Sequence, residues 1–77
     1  MGQYLADVAI HITETLDDTG VAALEAELCA RDGVVAARHR EGYNHLLLVH
    51  YDPQATRTRE LLTPMESQGL HAQLIGM

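Results

Sequence analysis

Cysteine is almost absent from this chain: Cys29 is the only one among 77 residues. A lone thiol excludes an internal disulfide and any metal clip built from two thiolates of one chain, and Cys29 is expected to pack as a small apolar residue on the flank of a helix. Basic charge is scarce as well. Five basic side chains stand against eleven acidic ones, a formal charge of −6. Such a balance repels phosphate backbones, so no nucleic-acid partner is expected. Arg38 and Arg40 flank His39 in a small basic spot, which reads as a charged edge strand guarded against aggregation. No stretch approaches the roughly 18 consecutive apolar residues of a membrane span. Met1 to Ala6 also lack the basic end and apolar run of a signal peptide, so a soluble, cytoplasmic protein with no membrane partner is expected. Linkers, repeats, glycine-rich phosphate loops and paired-carboxylate patterns are missing. With no base beside a nucleophile, and Cys29 at the wrong end of a helix to activate a thiol, no enzyme is expected.

What is present lays out a fold. Apolar residues make up 47% of the chain, enough for one thin core in a single domain spanning residues 1–77, since a chain of this size buries only about 60% of its unfolded surface. From Asp7 onward Val8, Ile10 and Ile12 alternate with Ala9, His11 and Thr13, the period of a half-buried strand. Val21, Leu24 and Leu28 recur at three and four residues and predict a helix that runs to Asp32-Gly33. It should start near Asp17 or Asp18, whose carboxylates suit a helix N-terminus. Val34 to Arg40 resumes extended chain and Glu41 to Asn44 reverses it. Leu46 to Val49, the most apolar run, reads as a central strand ended by Asp52-Pro53.

A second helix is predicted from about Thr56 to Gln68, with a conflict at Pro64. Beyond the first turn that proline would remove a backbone hydrogen bond and clash with the carbonyl of Glu60, so a kink or break is expected. Read locally, Thr63, Pro64 and Glu66 form a fresh helix start with a hydroxyl cap. Gly69 closes the segment and Leu70 to Ile75 supplies a fourth strand.

This order places Gly33-Val34 after the first helix, Tyr51-Asp52-Pro53 after the third strand, and Glu66-Ser67-Gln68-Gly69-Leu70 before the fourth. From about Asp7 to Ile75 it resembles the heavy-metal-associated domain of copper chaperones and metal-pumping ATPases. The resemblance implies an α+β, ferredoxin-like βαββαβ fold: a four-stranded antiparallel sheet in the order 4-1-3-2 with two helices on one face. It also implies a Met-x-Cys-x-x-Cys metal motif between the first strand and the first helix. Counted back from Gly33-Val34, the family's methionine falls on Thr15 and its two cysteines on Asp17 and Gly20. One carboxylate and one glycine do not replace two thiolates that select a soft ion such as Cu(I). Copper transfer of the family type is therefore not expected.

In the implied topology, the end of strand one, the turn between strands two and three and the start of strand four share the end of the sheet where the family holds metal. Four of the five histidines fall there, His11, His39, His45 and His71, and His50 falls at the far end. Strand parity puts His11 on the open face of the sheet, with His71 beside it if Ala72 and Leu74 face inward. His11 and His71 are thus candidate ligands for a divalent ion such as Zn(II), Ni(II) or Cu(II). His39 and His45, symmetric about Gly42, and Asp17 are candidate further ligands. The plain alternative is ordinary surface histidine and, for Asp17 and Asp18, helix capping.

The sheet face away from the helices is expected to present Ala9, Leu46, Leu48 and Ile75, a partly apolar patch of the kind that a protein partner or a second copy covers. These readings predict a small non-catalytic binding module of heavy-metal-associated type that lacks the cysteine site and needs no cofactor. It would act by protein–protein contact in a metal-homeostasis setting, through this patch or through the loop carrying Asp17 and Asp18. The alternative is a protein that holds a divalent metal with histidine.

Overall fold

A computed structural model describes residues 5–75, in which the chain runs β1 (Ala6–Ile12), α1 (Asp18–Cys29), β2 (Val34–Arg40), β3 (Tyr43–Tyr51), a 3₁₀ turn (Thr58–Leu62), α2 (Thr63–Ser67) and β4 (Ala72–Ile75). The four strands form one antiparallel sheet ordered β2-β3-β1-β4, the expected 4-1-3-2 order read from the other edge. β1 lies inside the sheet, with Ile10 opposite Leu47 of β3 on one side and Leu74 of β4 on the other. Side chains on alternate positions of a strand face the same way, so Val8, Ile10 and Ile12 join Leu47 and Val49 on one face.

That face carries the core. Val8, Ile10, Ile12, Leu47, Val49 and Tyr51 pack with Val21, Leu24 and Leu28 of α1, Leu61 of the 3₁₀ turn and Met65 of α2. Each fully buried aliphatic side chain contributes about 1.5–3 kcal/mol relative to exposure, and the opposite face of the sheet is left without a helix. Among the described residues no helix is long and apolar enough to cross a membrane.

Two expectations are corrected in the first helix. α1 ends at Cys29 with Ala30 as its cap, three residues before Gly33, and the intervening turn is closed by Val34 N–H donating to the Arg31 carbonyl at 3.2 Å. Gly33 then takes a φ of +90°, where a Cβ would also lie 2.7 Å from Cβ of Ala55, so both backbone and packing require glycine there. Cys29 is exposed, not packed. Leu28 occupies the buried position, and the next residue of an α-helix points about 100° away.

The conflict at Pro64 resolves as a break. The 3₁₀ turn stops at Leu62 and α2 begins at once, with Pro64 in its first turn. Leu62, not Thr63, is the N-cap, and no side chain caps the helix. The reason is continuity: Thr63 N–H already donates to the Glu60 carbonyl of the 3₁₀ turn, and proline has no N–H to satisfy.

Candidate functional site

The loop from β1 into α1 holds Thr15, Asp17 and Gly20, on which the family resemblance would place metal ligands. Asp17 is the N-cap of α1, in extended backbone, and its Oδ1 accepts from the Gly20 N–H at 2.7 Å. The two residues on which the resemblance would place cysteines are therefore bonded to each other as a helix cap. Asp18 Oδ1 accepts from Asn44 Nδ2 at 3.0 Å, and the same amide donates to the Leu16 carbonyl at 3.0 Å, tying the β2–β3 hairpin to the loop. An open cleft between loop and hairpin is lined by Thr15, Leu16, Asp18, His39, Asn44 and His45. A thiolate-bound soft ion does not fit this donor set: Gly20 has no side chain, Thr15 offers a hard oxygen, and both aspartates are engaged in hydrogen bonds.

The candidate histidines separate. His39 lies opposite Leu47, but Arg40 lies opposite Tyr43, so residues 44–46 bulge out of the β2–β3 ladder and the expected symmetry about Gly42 is lost. His39 turns to the helix side, where its Nδ1 is 2.7 Å from Glu25 Oε2 of α1 and its backbone N–H donates to the same oxygen. His11 faces Gln73 across β1 and β4, not His71. His71 is held by Glu14, which accepts from its backbone N–H at 2.8 Å and lies 2.6 Å from its Nδ1. His50 pairs with Asp7 at the far end.

His11 instead meets His45. Their ring centroids are 5.3 Å apart in an edge-to-face arrangement, with Tyr43 a further 5.9 Å from His45. The Arg40 guanidinium lies 5.2 Å from the centre of the Tyr43 ring. Among the described residues no group of three or more histidines, cysteines, aspartates and glutamates is gathered to hold a metal ion. The proposed set of His11, His71, His39, His45 and Asp17 is thus not assembled in one place.

One pair is electrostatically tuned. The hydrogen bonds from the side chain and then the backbone of His71 hold the Glu14 carboxyl below its ordinary range. The hydrogen bond to Glu14, followed by its negative charge, raises the His71 imidazole above the ordinary histidine value.

On the open face one row of residues crosses all four strands. Leu48 of β3 and Ile75 of β4 both pair with Ala9 of β1, and Arg38 of β2 pairs with Leu48. Leu48 and Ile75 are 41% and 45% exposed, whereas Ala9 is only 6% exposed and belongs to no core cluster. Ala9 is therefore the floor between two larger side chains, not part of the presented surface. Leu46, beside His11, is half-buried. Tyr43, exposed and in line with His45 two residues on, was missed, although that spacing on a strand was a usable signal. Glu14 and Glu25, 57 and 14 residues from their histidines, left none.

No family model and no curated protein matches the chain. Solved structures do. CopA from Bacillus subtilis, a variant determined with copper in solution, superposes with a TM-score of 0.77 at 23% identity, covering 100% of both chains. A copper-binding domain from HMA7, a P-type ATPase, gives 0.79 at 18% identity, covering 91% of this chain and 93% of that one. Oxidized MerP from Ralstonia metallidurans CH34 gives 0.79 at 11% identity, covering 92% and 97%. The chain has the ferredoxin-like fold of these heavy-metal-associated domains and lacks the two-cysteine motif.

Proposed function

We propose that this protein is a non-catalytic binding module, working in a metal-homeostasis setting, that docks a partner protein on the open face of its sheet. The row of Arg38, Leu48, Ala9 and Ile75 carries this reading: two exposed apolar side chains stand over a small buried floor on a face that no helix covers. Charge selects the partner. Asp7 is the only acidic residue in the four strands and is paired with His50, while Arg38 and Arg40 both lie on β2. A protein surface with apolar side chains bordered by carboxylates complements such a patch. The likeness to copper-binding domains supports the setting, and the cap at Asp17 argues against thiolate-type copper transfer.

The test is affinity capture with the chain as bait, followed by chemical-shift mapping of the captured protein on the sheet. Perturbations at Leu48, Ile75 and Arg38, and loss of capture in Leu48→Asp with capture retained in Glu66→Ala on the helix side, are expected. Perturbations confined to α1 and α2 would refute the reading.

A further inference from the structure

We propose that His11 and His45 form a two-imidazole site for a divalent ion of borderline softness, Zn(II), Cu(II) or Ni(II), at the hairpin end of the sheet between β1 and β3. The first argument is one of partners. Three of the five imidazoles have Nδ1 against a carboxylate: His39 on Glu25, His50 on Asp7 and His71 on Glu14. Among the described residues the His11 and His45 side chains have no hydrogen-bond or ion-pair partner; the two rings meet edge to face, and His45 also meets Tyr43. Their ring nitrogens are free to bind an ion without displacing anything.

The second argument is distance. Metal–nitrogen bonds of about 2.0–2.1 Å in tetrahedral geometry put two coordinating imidazole centroids about 5 Å apart, and these rings are 5.3 Å apart. The edge-to-face arrangement requires one ring to turn so that a nitrogen meets the ion. That torsion is broad for histidine, and no hydrogen bond holds it. Third, the ligands stand on paired strands, His11 on interior β1 and His45 on neighbouring β3, and rigid elements keep a site organised. Imidazole suits these divalent ions and not the soft monovalent ion that two thiolates would select. Two protein ligands leave the remaining positions to water or to a ligand from a bound partner. The site uses neither Asp17 nor Gly20 of the capped loop, although His45 lines the same cleft as Asp18, and it does not depend on the docking reading.

The test uses the full chain carrying Cys29→Ser, so that the exposed thiol does not compete. Calorimetric titration with Zn(II) and with Cu(II) is expected to show a saturable site, with the ring signals of His11 and His45 alone shifting in NMR spectra. His11→Gln or His45→Gln is expected to weaken binding about a hundredfold, the loss that follows when a chelate becomes a single contact. His71→Gln and His39→Gln are expected to leave it unchanged. The parent's NMR response reads the site even if a variant folds poorly. Absence of binding, shifts at His39 or His71 instead, or binding unaffected by His11→Gln and His45→Gln would each overturn the proposal.

Discussion

Asp17 stands where a thiolate would be expected from the family pattern, and its carboxylate is committed to the Gly20 N–H at 2.7 Å. A capping carboxylate satisfies an otherwise unpaired amide and faces the positive end of the helix dipole. Asp17→Ala is expected to lower stability by about 1 kcal/mol, with Asp17→Asn nearly neutral, because asparagine caps equally well. Urea denaturation reads this as a shifted midpoint at constant slope, and an unshifted midpoint for Asp17→Ala would show that the cap contributes nothing. At this scale the sequence was legible wherever a residue's role is local. The end of α1, read at Asp32-Gly33, lies at Cys29, whereas the capping aspartate and the break at Pro64 follow from backbone chemistry within a few positions. The carboxylate partners of the histidines do not, since only the folded chain brings Glu14 to His71.

The elements were legible from their periods: alternation gave β1 its inward face, and three-four spacing gave α1 its buried stripe of Val21, Leu24 and Leu28. The bulge at residues 44–46 was not legible, because nothing in Asn44, His45 and Leu46 announces that Asn44 will reach across to Leu16 and Asp18. That one slip separates His39 from His45 and brings His45 to His11. Between elements, Glu14 fastens the loop after β1 to the start of β4, beside Thr13 N–H donating to the His71 carbonyl at 2.8 Å. Its pH dependence has two signs. The raised His71 value gives a contribution fully present below about 6.5 that is lost as pH rises through the folded value. The lowered Glu14 value gives one present above about 4.5 that is lost as pH falls through its folded value. The fastening is therefore strongest between these limits. An NMR titration should find the His71 midpoint above 6.5 in the parent and returned toward it in Glu14→Gln. Equal midpoints in both proteins would remove Glu14 as the cause.

Taken whole, the molecule keeps its core clear of the loop on which the family resemblance places the metal motif. The buried cluster runs from Val8, Ile10 and Ile12 directly to Val21 and beyond, with no fully buried member in the loop between them. That loop is therefore free to change chemistry while sheet and helices stay as they are. The same independence predicts that the thiol site can be put back. A Cβ placed on Gly20 lies 3.1 Å from the Asp17 Oδ1, so side chains at these two positions already meet, and they do so at a helix N-terminus, where a thiol is more easily deprotonated. The double variant Asp17→Cys, Gly20→Cys is expected to fold with about 1 kcal/mol less stability from the lost cap. Under reducing conditions it is expected to take one Cu(I) in competition with a colorimetric chelator, while the parent takes none through this loop. Thiolates select the soft ion by their own softness and need from the protein only proximity. A double variant that folds but cannot compete would mean that the loop has lost the backbone shape for a metal clamp as well as its ligands.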